Sequence, residues 1–194
     1  MKLCRYTAID EYSRYRILGA YMKQSTYSSD NFLRRVVAAF ARKDVKVEWG
    51  QTGNGSEFTN RFTESRRPSS FEETAARLGI RRKLIRPYTP RHNDKVERGH
   101  REGRRRFYDI RRFYSLADFG TQLSGHQSAS NVRPVRPFKR ASPSDVLSSF
   151  PVQFVGQTYT GRFRLVTSLP RLAPGARRRC TADGKRWEKC PCTS

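Results

Sequence analysis

A mixed α/β domain is the fold class this sequence predicts, and three observations carry it. Short runs rich in Tyr, Ile and Leu, of strand length, alternate along the chain with stretches whose apolar residues recur at helical spacing. The resulting order of strand, strand, helix, strand, helix, strand, helix, helix interleaves the two element types rather than segregating them. The 194 residues are 36% hydrophobic and 12% aromatic, enough for one buried core and too much for a wholly solvated chain.

Each element has its own signal. Leu3 to Asp10 and Arg14 to Tyr21 flank the turn-like Glu11-Tyr12-Ser13 and predict a β-hairpin. Phe32, Leu33, Val36, Val37 and Phe40 form one stripe of an amphipathic helix, with Ser29 or Asp30 as its cap. Val45, Val47 and Trp49 alternate with charged residues and predict a strand running into Gln51-Thr52 and the loop Gly53 to Ser56. A short helix is expected from about Phe71 to Leu78, stopped by Gly79, and a strand from Arg82 to Ile85. Pro87 and Pro90 then break the chain before a long polar helix from Asn93 to about Ile110. Ser115 to Asp118 resembles a capping box with Asp in place of Glu, opening a last helix that buries Leu116, Phe119 and Leu123.

Beyond Asn131 prolines at 134, 137, 143, 151, 170 and 174 interrupt any periodicity, and nine basic against two acidic residues follow Pro151. Residues 148–194 are therefore expected to be a basic, flexible tail, after a core of residues 1–147.

Charge narrows the function. Forty Lys and Arg stand against 17 Asp and Glu, a net +23, which calls for a polyanionic partner. Arg98, Arg101, Arg104, Arg105, Arg106, Arg111 and Arg112, interleaved with Phe107 and Tyr108, form a run suited to phosphate contact with some base or sugar packing. No apolar run reaches membrane-spanning length and no signal core follows Lys2, so a cytoplasmic protein without a membrane partner is expected. No Gly-rich nucleotide loop or other small-molecule motif is present. Cys4, Cys180, Cys190 and Cys192 are too few for a disulfide framework. The last three lack zinc-ligand spacing and no His follows His126, so free thiols are expected.

Four ordered blocks resemble the DDE-type integrase core of retroviral integrases and bacterial insertion-sequence transposases. Tyr6 to Tyr15, with Asp10 and Ser13-Arg14, resembles the family's second strand and hairpin. Thr52-Gly53-Asn54-Gly55-Ser56-Glu57-Phe58 resembles the block T-D-N-G-x-E-F. Leu78-Gly79-Ile80 through Pro87-Tyr88-Thr89-Pro90 to Asn93-Asp94-Lys95-Val96-Glu97-Arg98-Gly99-His100-Arg101 resembles L-G-I…P-x-T-P-x-x-N-G-x-V-E-R-x-H-R. Asn131, Arg133-Pro134 and Ser142-Pro143 resemble the closing N…R-P…S-P signature. The resemblance covers Leu3 to Leu147, and the Glu97 block is its most specific part.

What the resemblance implies is a metal-dependent polynucleotidyl transferase, in which two Mg²⁺ or Mn²⁺ ions held by three convergent acids activate and stabilise the phosphodiester oxygens. Glu97 matches the third acid, catalytic and metal-binding. Arg91, Lys95, Arg98, Arg101, Arg104 and Arg105 are the DNA-binding candidates. His92 and His100 match the family's histidines in secondary roles.

The other two acids are missing from the pattern. Position 53, where the block carries its Asp, holds Gly53. Glu57 matches a Glu of the family that does not bind metal. The first acid belongs on a strand before Leu3, while Asp10 matches the hairpin turn. The implied fold is thus α/β, a ribonuclease-H-like mixed sheet flanked by helices and lacking its first central strand, with two open strand edges where that strand would lie. Asp94, Gly99, Gly103 and Gly120 depart from the pattern and read as drift.

The expected function is that of a transposase or integrase core-domain protein of DNA transposition, itself catalytically inactive. Its partners would be DNA, at element ends and target, and a homo-oligomer or an intact transposase. The alternative is a non-catalytic basic DNA-binding or inhibitory partner of an intact transposase. An unrelated RNA-binding protein fits the charge but not the four ordered blocks.

Overall fold

A computed structural model of the chain describes residues 3–61, 67–85, 101, 103–153 and 160–168, the backbone alone from 150 onward. The hairpin is β1 (Cys4–Asp10) and β2 (Arg16–Tyr21), antiparallel with Thr7 opposite Leu18. Helix α1 (Thr26–Ala41) begins one turn earlier than its apolar stripe suggests. Its cap is Ser25, whose side chain accepts from the Ser28 amide at 3.2 Å, and not Ser29 or Asp30. Ser29 is buried inside the first turn, its hydroxyl donating to the carbonyls of Thr26 and Glu57. A polar first turn that is tied down by hydroxyl bonds carries no apolar periodicity, which is why the stripe points to a later start.

Strand β3 (Lys46–Thr52) carries a bulge between Val47 and Trp49. Helix α2 (Ser70–Arg77) starts on a complete capping box, Ser69 with Glu72, and ends at Gly79, whose φ of +68° is the left-handed conformation that glycine adopts without steric cost. Strand β4 (Arg81–Leu84) follows. Of the expected helix from Asn93, residues 93–100 lie outside the described residues. Its described end is a π-helical turn, Arg104–Tyr108. Helix α3 (Leu116–Val132) starts at Ser115 as expected, except that Asp118 accepts from the Tyr114 amide rather than the cap's own.

Two further elements stand where no periodicity was expected. Helix α4 (Pro143–Gln153) crosses position 147. It does have a start signal, because Ser142 and Asp145 exchange amide bonds at 2.9 and 3.2 Å and proline stands at the first helical position. Strand β5 (Thr160–Ser168) completes a five-stranded sheet in the order β2-β1-β5-β3-β4.

The position of β5 corrects the expectation of an empty central place. It runs antiparallel to β1, with Thr7 opposite Val166, and parallel to β3, with Thr52 beside Leu165. It lies between the two strands whose edges were expected to be open. Residues from the segment read as a flexible tail therefore pair both edges. A strand at the centre of a sheet is ordinarily a near-continuous apolar run. This one carries Arg162 and Arg164 amid a proline-punctuated basic segment, so composition hid it.

Cores lie on both faces of the sheet. One gathers Tyr6, Phe32, Val36, Phe40, Phe58 and Phe71 around α1 and α2; the other gathers Leu3, Leu18, Phe107, Phe119 and Leu123 under α3. Tyr6 meets Tyr21, Phe32 and Phe58 with ring centroids 5.1–6.3 Å apart, edge-on or tilted, and burial drives its hydroxyl pKa far up. Among the described residues no helix is long and apolar enough to cross a membrane.

Candidate nucleic-acid interface and acid positions

The loop after β3 is the structural centre of the predicted site. Thr52 O accepts from the Ile85 amide at 3.0 Å and the Asn54 side chain donates to Ile85 O at 2.9 Å, so the end of β4 clamps the loop. Gly53 sits in the open: a Cβ built there would have nothing within 4 Å, and its backbone is not left-handed. The site therefore has room for the Asp it lacks.

Glu57 points elsewhere. It is buried, accepts from the Gln24 side chain at 2.7 Å, and lies so close beneath Gly55 that a Cβ at that glycine would meet its carboxylate. Its place is against the start of α1, where Ser29 holds its carbonyl.

Asp10 ends β1 and is fully buried. Its Oδ2 accepts from both the amide and the hydroxyl of Ser13 at 2.7 Å, while Ser13 Oγ accepts from the Tyr15 amide at 3.1 Å. This side-chain-closed turn holds Arg14 at φ +61°. Through β5, Asp10 pairs with Phe163, which pairs with Gly50, so Asp10 stands three residues short of Gly53 along the sheet. The two do not share a level.

Glu97, Arg91, Lys95 and Arg98, with His92, His100, Asp94 and Gly99, lie outside the described residues, as do Cys180, Cys190 and Cys192. Arg101, Arg104 and Arg105 are described and exposed, and Arg104 reaches Asp109 at 3.5 Å. The aromatic partners differ from expectation. Phe107 is buried and stacks on His126 with centroids 4.6 Å apart, so it fills the core and offers nothing to a base or sugar. Tyr108 is largely covered, while Ile110 and Tyr114 are the exposed apolar side chains here, at 71% and 74%.

A buried cation with no local sequence signal seats this segment. Arg5 is 4% exposed on β1 and its guanidinium lies 4.8 Å from the Tyr108 ring centroid. Burial pushes the Arg5 pKa down and the neighbouring Tyr108 opposes this; burial likewise raises Tyr108 against the pull of Arg5. A Cβ at Gly103 would stand 3.2 Å from Arg5 Nη1, so this glycine, read as drift, is where the chain passes closely over the cation. An Arg inside a strand pattern reads as a solvated position, and the sequence held no signal to the contrary.

The described residues do not fit the metal pair that the resemblance implies. No group of three or more His, Cys, Asp or Glu among them could hold an ion. Gly53 offers no donor, Asp10 is engaged by Ser13, and β5 between them carries no Asp or Glu. Hard divalent ions need converging carboxylate oxygens, and the described positions supply none.

Residues 1–90 match the family model "Integrase core domain". The fold is similar to the catalytic core domain of BIV integrase, at 16% identity and TM-score 0.57, over 77% of this chain and 88% of that one. It is also similar to a chain of the simian T-cell lymphotropic virus intasome in complex with PP2A regulatory subunit B56 gamma, at 16% identity and TM-score 0.58, over 74% of this chain and 47% of that one. No curated protein matches. The chain is thus built on the ribonuclease-H-like fold of integrase catalytic cores, and its first 90 residues carry the integrase core domain pattern.

Proposed function

We propose that this chain is a DNA-binding protein of the transposase and integrase class that holds DNA by its phosphates and does not itself transfer strands. Gly53 carries the reading: it occupies the loop where the integrase-core block has its Asp, with open space around it, while exposed arginines crowd the segment that follows the Glu97 block. A chain with these cations and without that ligand retains electrostatic binding and loses metal-dependent chemistry. Its partners in this reading are element ends and target DNA, with a further copy of the chain or an intact transposase completing the assembly.

Fluorescence anisotropy on duplex DNA across a salt series tests it, run beside a plasmid-nicking assay in magnesium and in manganese. Binding should weaken by orders of magnitude between low and moderate salt without nicking, and the double substitution Arg104→Gln and Arg105→Gln should flatten the log–log salt slope by about 2. Absence of binding at low salt, or metal-dependent nicking by the unaltered chain, overturns the proposal.

A further inference from the structure

A second basic cluster, made by residues outside the Arg101–Arg112 segment, lies at the β2 edge of the sheet. Here α1, the residues just past its end, β2 and Gln127 of α3 line an open concavity of about 320 Å³ whose lining includes Arg35, Arg42 and Lys43. Tyr15 forms part of its wall, with Lys43 Nζ 5.1 Å from the ring centroid.

Three features distinguish this cavity from an ordinary solvated face. No carboxylate lines it. The five ion pairs found among the described residues engage Arg34, Lys46, Arg81, Arg82 and Arg104, and none of the three cavity cations. Like charges gathered in one concavity repel, and an anion between them removes that cost. Finally, Gln127 Oε1 is committed to the Leu18 amide at 2.6 Å, which fixes the side chain and leaves its NH₂ group as a neutral donor at the cavity. Of the last carbonyls of α1, those of Ala38, Phe40 and Ala41 already accept from the Arg42, Lys43 and Asp44 amides.

We infer that this cavity is a binding site for a backbone phosphate of nucleic acid, gripped by Arg35, Arg42 and Lys43 with Gln127. The inference rests on the DNA-binding reading and adds to it a contact surface made by other residues. One chain would then touch two DNA segments, or two separated stretches of one. A polyanion of nucleic-acid type is favoured over a small anion because the concavity is open to solvent and its donors are long and exposed, suited to a phosphate presented by a continuous strand.

The test compares Arg42→Gln/Lys43→Gln with Arg136→Gln/Lys139→Gln, an exposed pair outside the cavity with the same loss of charge, in the full chain. The log–log salt slope of duplex binding should flatten by about 2 for the cavity pair and distinctly less for the control pair. Equal flattening, or none, overturns the site. Acetylation footprinting of the unaltered chain gives an independent reading: bound DNA should shield Lys43 and leave Lys139 reactive, and equal reactivity of Lys43 with and without DNA overturns the site as well. If the unaltered chain binds no DNA at low salt, it is the underlying DNA-binding reading that fails.

Discussion

Asn131 pairs with the backbone of Arg16 as another strand would: its Oδ1 accepts from the Arg16 amide at 3.0 Å and its Nδ2 donates to the Arg16 carbonyl at 2.9 Å. One helical turn earlier Gln127 accepts from the Leu18 amide, so two side chains of α3 in an i, i+4 relation cover the outer edge of β2. Asn131 is 3% exposed, and its replacement strips paired groups from a buried contact. Asn131→Ala should cost about 1–3 kcal/mol in urea unfolding and increase aggregation by baring the β2 edge. An unchanged unfolding midpoint would show that the edge needs no cover.

The central place of β5 makes a covalent prediction. Thr7 on β1 and Val166 on β5 are opposed across the antiparallel pair, within the roughly 4.5–5.5 Å Cα separation that permits a disulfide. In a chain whose four native cysteines are replaced, Thr7→Cys with Val166→Cys should oxidise to an intramolecular link, seen by peptide mass spectrometry. A pair offset by several residues should not link. Equal yields from the two pairs would remove β5 from this register.

The hairpin, α1, β3, α2, β4 and α3 were legible because each couples an apolar period to a start or stop residue, as Ser69 and Gly79 do for α2. Strand β5 was not, since its partners are more than a hundred residues away and its own residues carry little sign of them. The site divided in the same way. Gly53 and the exposure of Arg101, Arg104 and Arg105 could be read locally, whereas burial of Arg5 and Phe107 follows from packing against elements distant in the chain. Among the cavity donors Arg42 and Lys43 are adjacent in the chain, whereas Gln127 joins them and Arg35 only in three dimensions.

Two glycines should respond oppositely to alanine. A Cβ at Gly19 would stand 2.7 Å from Phe32 Cδ2 and 2.8 Å from Tyr21 Cε2, atoms held in the aromatic cluster, so Gly19→Ala should destabilise by about 1–3 kcal/mol. Gly120 lies inside α3 with nothing within 4 Å of such an atom, so Gly120→Ala should stabilise by up to about 1 kcal/mol through helix propensity. Thermal unfolding of the two variants beside the parent decides both signs.

Glu72 ties α2 to β4 and gives a pH dependence. Burial alone would raise its pKa, but the Ser69 amide, the Thr59 hydroxyl and the Arg82 guanidinium at 2.7 Å outweigh it and hold the carboxyl below its ordinary 4.5. A depressed folded-state pKa means stability fully present above the ordinary value and lost as pH falls through the lower one. Glu72→Gln should therefore cost about 1 kcal/mol at neutral pH, and the gap from the parent should close as both are titrated from pH 4.5 downward. A gap that persists unchanged in acid would assign the loss to packing instead of charge.

Gly53→Asp separates fold from chemistry most sharply. The open space at Gly53 admits the side chain, so urea unfolding should change by no more than about 0.5 kcal/mol. Catalysis should not follow. Two divalent ions need several carboxylates at one level, yet β5 beside the new Asp carries none, and Asp10 stands level with Gly50 with one oxygen taken by Ser13. Plasmid nicking in magnesium or manganese should stay at background while salt-dependent binding is retained. Appearance of metal-dependent nicking with this one change would mean that Asp10 can leave its turn to join the new carboxylate, and the assignment of Asp10 to the hairpin would fall.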